Sequence, residues 1–249
     1  MNRSRIGLGV IAVATAGILA LAGCSQGAGD AGGSGGGDTS AIITTNGSEP
    51  QSALIPTMVN EVGGGKILDA MFAGLVYYDA KGAPHNDIAT SIESNDAINY
   101  TIKIRDDAKF TDGTTVKAKN FVDAWNYGAA LDNAQLNSYF FEDIEGFSYD
   151  ENVPELSGLK VVDDTTFTVT LNKAASDFPL RLGYSAYFPL PDSAWDDLEA
   201  YGQAPIGNGP YKIGEGDAWK HNEEIALVKN DDYNGPREVK NGGLTIKFY

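Results

Sequence analysis

The feature that most constrains this chain is an uncharged apolar segment near its N-terminus, residues 6–22, preceded by Arg3 and Arg5. Its length is close to the lower limit for a helix that spans a bilayer. A small-residue cleavage site follows at once, which favours a signal peptide over a permanent membrane helix. Residues 1–23 are therefore predicted to be removed on export, and the folded part must come from the rest of the chain.

The cleavage site, Leu21-Ala22-Gly23-Cys24, resembles the lipobox of bacterial lipoproteins. In that family the peptide before the cysteine is removed and the cysteine sulfur carries a diacylglycerol, so the resemblance implies lipidation of Cys24. Cys24 is the only cysteine of the chain and cannot form an internal disulfide. Because two acyl chains give a stable anchor, the predicted location is the extracytoplasmic face of the cell membrane.

Residues 24–40 are rich in Gly and Ser and contain no large apolar side chain. Such a segment cannot contribute to a core, so it is predicted to be a flexible tether. Residues 41–249 remain for the folded part, which is enough for one large core or two small ones.

The chain is strongly acidic, with 18 Lys and Arg against 34 Asp and Glu, a net charge of −16. Loss of residues 1–23 removes two Arg, leaving 16 basic and 34 acidic residues, a net charge of −18. A basic face for nucleic acid or anionic lipid is not expected. The simplest interpretation of the acidity is solubility outside the cell.

Apolar periodicity in the folded part predicts a mixed α/β structure with antiparallel neighbours. Ile98, Tyr100, Ile102 and Ile104 alternate with polar residues, which is typical of a strand with one wet face. The other predicted strands are at 41–45, 159–162, 167–171, 224–228 and 244–248. A loop is predicted at 46–50, and turns at 79–82 and 112–113. Helices are predicted at 65–77, around 121–128 and at 191–201, the last capped by Asp192 or Ser193.

Six short motifs follow one another along this region. They are Gly47-Ser48-Glu49-Pro50, the segment from Met71 to Tyr78, Ala108-Lys109-Phe110-Thr111-Asp112-Gly113-Thr114, Phe121-Val122-Asp123-Ala124-Trp125, the segment from Pro205 to Tyr211, and the segment from Asn230 to Gly235. In order and spacing they resemble the family 5 extracellular solute-binding proteins, the oligopeptide- and dipeptide-binding components of ABC importers. Ala73 and Asn234 depart from the family pattern, which commonly has Glu and Trp there.

The resemblance implies an α/β fold like that of type II periplasmic binding proteins, in which two lobes close on a ligand. Residues 41–63 and about 190–249 would form the first lobe, and about 64–189 an inserted subdomain. Family members are about twice as long as this chain. On this interpretation the second lobe is missing, together with the acidic residue that many peptide-binding members use to hold the peptide N-terminus.

Candidate ligand-binding residues on the first lobe come from one loop, one aromatic stretch and one Gly-rich segment. They are Asn46, Gly47, Ser48, Glu49, Pro50, Tyr184, Tyr187, Gly207, Asn208 and Gly209. For the tyrosines, core packing is an equal alternative. For 207–209, where the two Gly allow sharp bends and close approach of the backbone, a purely structural role is the stronger alternative.

The sequence contains no recognisable catalytic or metal-binding motif. Its two histidines, His85 and His221, have neither metal-ligand nor triad spacing. The segment beginning at Asn230 imitates a calcium loop, but Pro236 follows it and Asn241 stands where a bidentate Glu is needed, so a turn is predicted. We therefore predict neither an enzyme nor a cofactor.

The function predicted from sequence is a lipid-anchored, substrate-binding component of an ABC importer. Its predicted partners are a short peptide, the permease and ATPase subunits, and the membrane through the lipid. Two alternatives stay open at this stage. One is a truncated surface lipoprotein or non-functional fragment without a transport role, and the other is a family member for nickel, haem or sugar.

Overall fold

The computed structural model describes residues 38–249. The predicted signal peptide, Cys24 and most of the predicted tether lie outside the described residues, and the tether residues 38–40 are exposed. In the described part of the chain, no helix is long and apolar enough to cross a membrane.

The described residues form eleven strands and four α-helices, joined by short 3-10 turns. The strands are β1 Ile42–Gly47, β2 Val76–Tyr78, β3 Pro84–Asn86, β4 Ala89–Glu93, β5 Asn99–Ile104, β6 Leu159–Asp163, β7 Thr166–Thr170, β8 Tyr211–Ile213, β9 Trp219–Lys220, β10 Glu224–Lys229 and β11 Gly243–Phe248. The helices are α1 Val62–Met71, α2 Ala118–Ala129, α3 Phe178–Arg181 and α4 Leu198–Tyr201. The predicted α/β class is confirmed.

One sheet joins the two ends of the described chain. Its order is β1-β11-β10-β8, with β9 also paired to β10. β1 runs parallel to β11, from the pair Ile42 and Gly243 to the pair Gly47 and Phe248, whereas the other neighbours are antiparallel. Asn46 and Gly47 are therefore the end of a strand, not the start of the predicted loop.

A second sheet, β4-β5-β7-β6, is antiparallel throughout. The alternation predicted for β5 is confirmed, since Tyr100, Ile102 and Ile104 are buried while Asn99 and Lys103 are exposed. The first sheet takes its strands from residues 42–47 and 211–248, and the second from residues 89–170. The predicted domain division stays a prediction.

Helix α2 packs through Trp125, which is fully buried. The indole lies edge-on to the rings of Phe167, on β7, and Tyr187, with centroids 5.6 and 5.2 Å away. Its Nε1 donates to the carbonyl of Tyr187 at 3.0 Å. The predicted helix around 121–128 is thus confirmed, and it links the second sheet to the segment around Tyr187.

Helix α1 is shorter than the predicted helix at 65–77. It ends at Met71, and Phe72 already has extended backbone angles, φ −118° and ψ 156°. The carbonyl of Met71 and both backbone groups of Ala73 have hydrogen-bond partners far along the chain. Asn208 receives a hydrogen bond from the N–H of Ala73 and donates to its carbonyl, both at 2.9 Å, and the N–H of Gly209 donates to the carbonyl of Met71 at 2.8 Å.

The predicted helix at 191–201 is also wrong. Its place is taken by a 3-10 turn, Asp192–Trp195, and by the single turn of α4. The carboxylate of Asp192 does not cap a helix, because it accepts from Lys119 Nζ at 2.7 Å and Asn120 Nδ2 at 3.1 Å. The helix cap is instead Asp197, whose side chain accepts from the N–H of Ala200.

A buried ion pair secures the end of α1. The side chain of Asp87 is fully buried and accepts from Arg237 Nε at 2.9 Å and from the Tyr233 hydroxyl at 3.0 Å. Arg237 also donates to the carbonyls of Asp69 and Phe72, at the C-terminal end of α1. We call this arrangement, with residues 71–73 and 207–209, the α1 junction.

We predict that Arg237→Met lowers the free energy of unfolding by about 3 kcal/mol at neutral pH, because it leaves a buried carboxylate without its cation. Burial raises the pKa of Asp87, while Arg237 opposes that rise. Without Arg237 the pKa of Asp87 in the folded state rises further above its value in the unfolded state. The stability lost through Arg237→Met should therefore shrink as the pH falls through that folded-state pKa. Urea titrations at several pH values test this, with Lys240→Met as the exposed control. A loss that is independent of pH contradicts the assignment.

We further predict that Gly207→Ala destabilises the fold by about 2–3 kcal/mol through overpacking. An added Cβ would lie 2.0 Å from the carbonyl oxygen of Met71, which is backbone and cannot rotate away. The matched control is Gly65→Ala in α1, where an added Cβ meets nothing within 4 Å. There the higher helix propensity of Ala should raise the free energy of unfolding by about 0.5–1 kcal/mol. If both variants unfold at the same denaturant concentration, the proposed packing role is refuted.

Candidate functional site

An open groove of about 620 Å³ lies beside the α1 junction. One wall is the exposed face of α1 with the residues before it, and the other is formed by β2 and the segment 183–188. Arg237 also lines the groove. Its volume is within the range of about 300–1,000 Å³ that is usual for small-ligand sites.

The α1 wall is held by the cap of the helix. Both carboxylate oxygens of Glu61 accept backbone N–H groups, from Gly63 at 2.6 Å and from Gly64 at 2.8 Å. Glu61 therefore satisfies the first donors of α1, and its negative charge faces the positive end of the helix dipole. Val62 is left 81% exposed at this wall. Asn60 and Glu61 line the groove, and among residues 38–249 their backbone N–H groups have no acceptor.

The opposite wall is aromatic. The Tyr78 hydroxyl donates to the carbonyl of Leu180 at 2.6 Å, which fixes that ring. Tyr184 stacks on Phe140 with centroids 4.3 Å apart, and Tyr77 stacks on His85 at 5.3 Å. Burial raises the pKa of both Tyr78 and Tyr184, so both hydroxyls stay protonated at neutral pH.

The groove carries three further charged side chains. Lys66 Nζ donates to the carbonyl of Asn46 at 2.8 Å, and Arg237 is engaged in the α1 junction. The third is Asp69, on the exposed face of α1. Apolar and aromatic walls with a few fixed polar groups are suited to binding an organic ligand.

The predicted ligand loop lies next to this groove but does not line it. The carbonyl of Asn46 accepts a hydrogen bond from Lys66. Ser48 lies close to Gly63, since a Cβ added at Gly63 would be 2.5 Å from the Ser48 hydroxyl oxygen. Glu49 is hydrogen-bonded to His221 Nδ1 at 2.7 Å and to the N–H of Asn222 at 3.0 Å. Gly47 ends β1, and Pro50 is buried.

The other predicted site residues divide into lining and packed ones. Tyr184 lines the groove. Tyr187 is fully buried, and its hydroxyl donates to the carbonyl of Phe140 at 2.6 Å, so core packing is the role that its contacts describe. Gly207, Asn208 and Gly209 are buried in the α1 junction. A ligand-binding role for the ten residues stays a prediction.

Sequence reasoning missed most of the groove. The lining residues that it did not select include Asn60, Val62, Asp69, Tyr77, Tyr78 and Arg237. One signal was available, the paired Tyr77-Tyr78 at the end of a motif. Arg237 could not have been found from local pattern, because its partner Asp87 is 150 residues away in sequence.

Within residues 38–249, no group of three His, Cys, Asp or Glu side chains is close enough to hold a metal ion.

Comparison with known proteins points to a family of solute-binding proteins. The family model of the bacterial extracellular solute-binding proteins, family 5 middle region, matches residues 83–249. The oligopeptide-binding protein OppA of Bacillus subtilis is 30% identical over 233 residues, which is 89% of this chain and 42% of that protein. The periplasmic OppA of Escherichia coli is 30% identical over 241 residues, or 93% of this chain and 42% of its own length.

Solved structures of peptide-binding proteins have a fold similar to that of this chain. The peptide-bound OppA of Listeria monocytogenes superposes with a TM-score of 0.75 at 26% identity, covering 86% of this chain and 43% of its own. The murein tripeptide binding protein MppA of Escherichia coli gives 0.76 at 26% identity, with 83% and 41% covered. The chain spans about two fifths of the length of these relatives, and it belongs to the bacterial extracellular solute-binding proteins of family 5.

Proposed function

We propose that this protein is the substrate-binding component of an ABC importer and that it takes short peptides into the groove between α1 and the tyrosine wall. The relatives named above are oligopeptide-binding proteins, and one is described in complex with a peptide. On this proposal the protein binds its substrate for a permease and performs no chemistry on it.

The observation that carries the proposal is that residues whose backbone N–H groups have no acceptor line the same groove as three tyrosines. An extended peptide is held mainly through its main chain, and pockets for its side chains set the preference. The N–H groups of Asn60 and Glu61 supply main-chain donors on one side of the groove, while Tyr77, Tyr78 and Tyr184 supply broad apolar surface on the other.

We also propose that the protein is attached to the membrane through a lipid on Cys24. The lipobox at residues 21–24 and the Gly-rich segment after it support this. A tether between lipid and folded domain keeps the groove close to a permease and leaves the domain free to turn.

Peptide binding is predicted to depend on Tyr184. Tyr184→Ala should weaken the binding of short peptides about tenfold, because it removes the aromatic surface that the ring contributes to the groove. Isothermal titration calorimetry with a mixed tri- to pentapeptide library measures this. The control is Tyr149→Ala, an exposed tyrosine that does not line the groove. Absence of binding across the whole library would overturn the peptide assignment.

The anchor is predicted to depend on one sulfur. In cells given a radiolabelled fatty acid, the parent protein should carry the label and sediment with membranes, whereas Cys24→Ser should do neither, since the hydroxyl cannot form the thioether. Ser25→Ala is the neighbouring control. An unlabelled parent protein in an otherwise labelled lipoprotein fraction would refute the lipid anchor.

A further inference from the structure

The first sheet ends in an open strand edge at β1. This strand pairs with β11 on one side, and among residues 38–249 no strand lies on its other side. Ile42 and Ile43, at its start, are 55% and 50% exposed. Because successive side chains of a strand point to opposite faces, one isoleucine is exposed on each face of the sheet. Such an edge offers unpaired backbone groups to another strand.

The contacts at the end of β1 show which backbone groups form this edge. The carbonyl of Gly47 accepts from the N–H of Tyr249, just beyond β11. Backbone groups alternate in direction along a strand, so residues 43, 45 and 47 face β11 while residues 42, 44 and 46 face outward. Lys66 Nζ donates to the outward carbonyl of Asn46 at 2.8 Å and closes that end of the edge. The N–H and carbonyl groups of residues 42 and 44 remain open.

The other edge strands of the two larger sheets are protected against pairing. β8 and β9 each contain a lysine, Lys212 and Lys220. β4 and β6 contain charged residues and a register shift, at 89–91 and 161–163. β1 reads Ile-Ile-Thr-Thr-Asn-Gly, with no charge, no proline and an unbroken register. Because natural proteins protect exposed edges with such devices, their absence from β1 indicates an edge that is covered in the working protein.

β1 is complementary to a second β1. A strand that pairs with its own copy across a two-fold axis runs antiparallel to it, so a charge near the axis would face a like charge. β1 has none. One register uses every open group: residue 42 of each copy is opposite residue 44 of the other, which gives four hydrogen bonds. Ile43 then lies on the axis opposite its own copy, in a pair without hydrogen bonds whose Cα atoms are about 4.5 Å apart.

We propose that β1 is the interaction surface for a second copy of this chain, through antiparallel pairing of residues 42–44 about a two-fold axis at Ile43. The inference goes beyond the proposed function and does not rest on peptide binding. The paired segment is short, because Lys66 closes the edge at Asn46, so the dimer is weak and forms at high local concentration. The net charge of −16 opposes association, and salt should therefore strengthen it.

Disulfide trapping tests the register. The full chain with Cys24→Ser has no other cysteine, so every cross-link comes from an introduced thiol. In this background Ile43→Cys should form a disulfide-linked dimer, because the two positions lie within the Cα separation that a disulfide spans. Ile42→Cys is the matched control, since in this register its Cα lies about 8–9 Å from its own copy, which is too far.

Under mild oxidation we expect about tenfold more cross-linked dimer from Ile43→Cys than from Ile42→Cys, since only the first pair has disulfide geometry. Equal yields from the two variants, or no dimer from Ile43→Cys, overturn the proposed pairing.

Sedimentation equilibrium tests association without a cross-link. The Cys24→Ser chain should show a monomer–dimer equilibrium that shifts toward dimer as salt rises. Ile43→Lys should abolish the dimer, because it sets two ammonium groups opposite each other. Val162→Lys is the matched control, an exposed valine of edge strand β6, and should leave association unchanged. A monomer at every concentration, or a dimer that survives Ile43→Lys, refutes the proposal.

A third variant applies if Ile43→Lys melts at a lower temperature than Val162→Lys. Thr44→Pro removes an outward N–H and leaves the ladder to β11 intact, and proline is tolerated on an edge strand where its nitrogen faces solvent. It adds no charge, so it tests the backbone pairing itself. We expect dimerisation to weaken at least about tenfold, since two of the four hydrogen bonds are lost. Unchanged dimerisation in Thr44→Pro overturns the pairing of residues 42–44.

Discussion

The groove depends on the constraint that stops α1 at Met71. The side chain of Asn208 is hydrogen-bonded to both backbone groups of Ala73, and the N–H of Gly209 donates to the carbonyl of Met71. Because these groups are used outside the helix, α1 ends at Met71 and the chain turns into β2. Buried backbone groups must have partners, and here those partners lie outside the helix. The turn places β2 across from the exposed face of α1, and the space between them is the groove.

The same junction explains why the family motifs occur together. The N–H of Thr111, in the Phe-x-Asp-Gly turn, donates to the carbonyl of Gly207 at 2.8 Å. Asn230, from the last motif, donates through Nδ2 to the carbonyl of Gly209 at 2.8 Å. Segments that read separately as turns in the sequence are thus parts of one packed assembly. Four of the six motifs, those at 71–78, 108–114, 205–211 and 230–235, therefore meet at the α1 junction.

The three carboxylates in and beside the groove differ in their hydrogen-bond partners. Glu61 is satisfied by the start of α1, and Asp87 by Arg237 and Tyr233. Glu61 is held by two backbone N–H groups and Asp87 is paired with a cation, so both carboxylates are fixed in place. Asp69 differs, because it is exposed on α1 while the nearby Lys66 and Arg237 donate to backbone carbonyls.

The sequence alone determined the elements whose pattern is local. Alternation over 99–104 and the apolar face of α2 fixed a strand and a helix, since side-chain period depends on neighbouring residues only. It also indicated the family and one lining residue, Tyr184. The end of α1 and the partners of Asp192 were decided by tertiary structure. The contacts responsible, such as Asn208 with Ala73 and Arg237 with Asp87, join residues 135 and 150 positions apart, where no periodicity can reveal them.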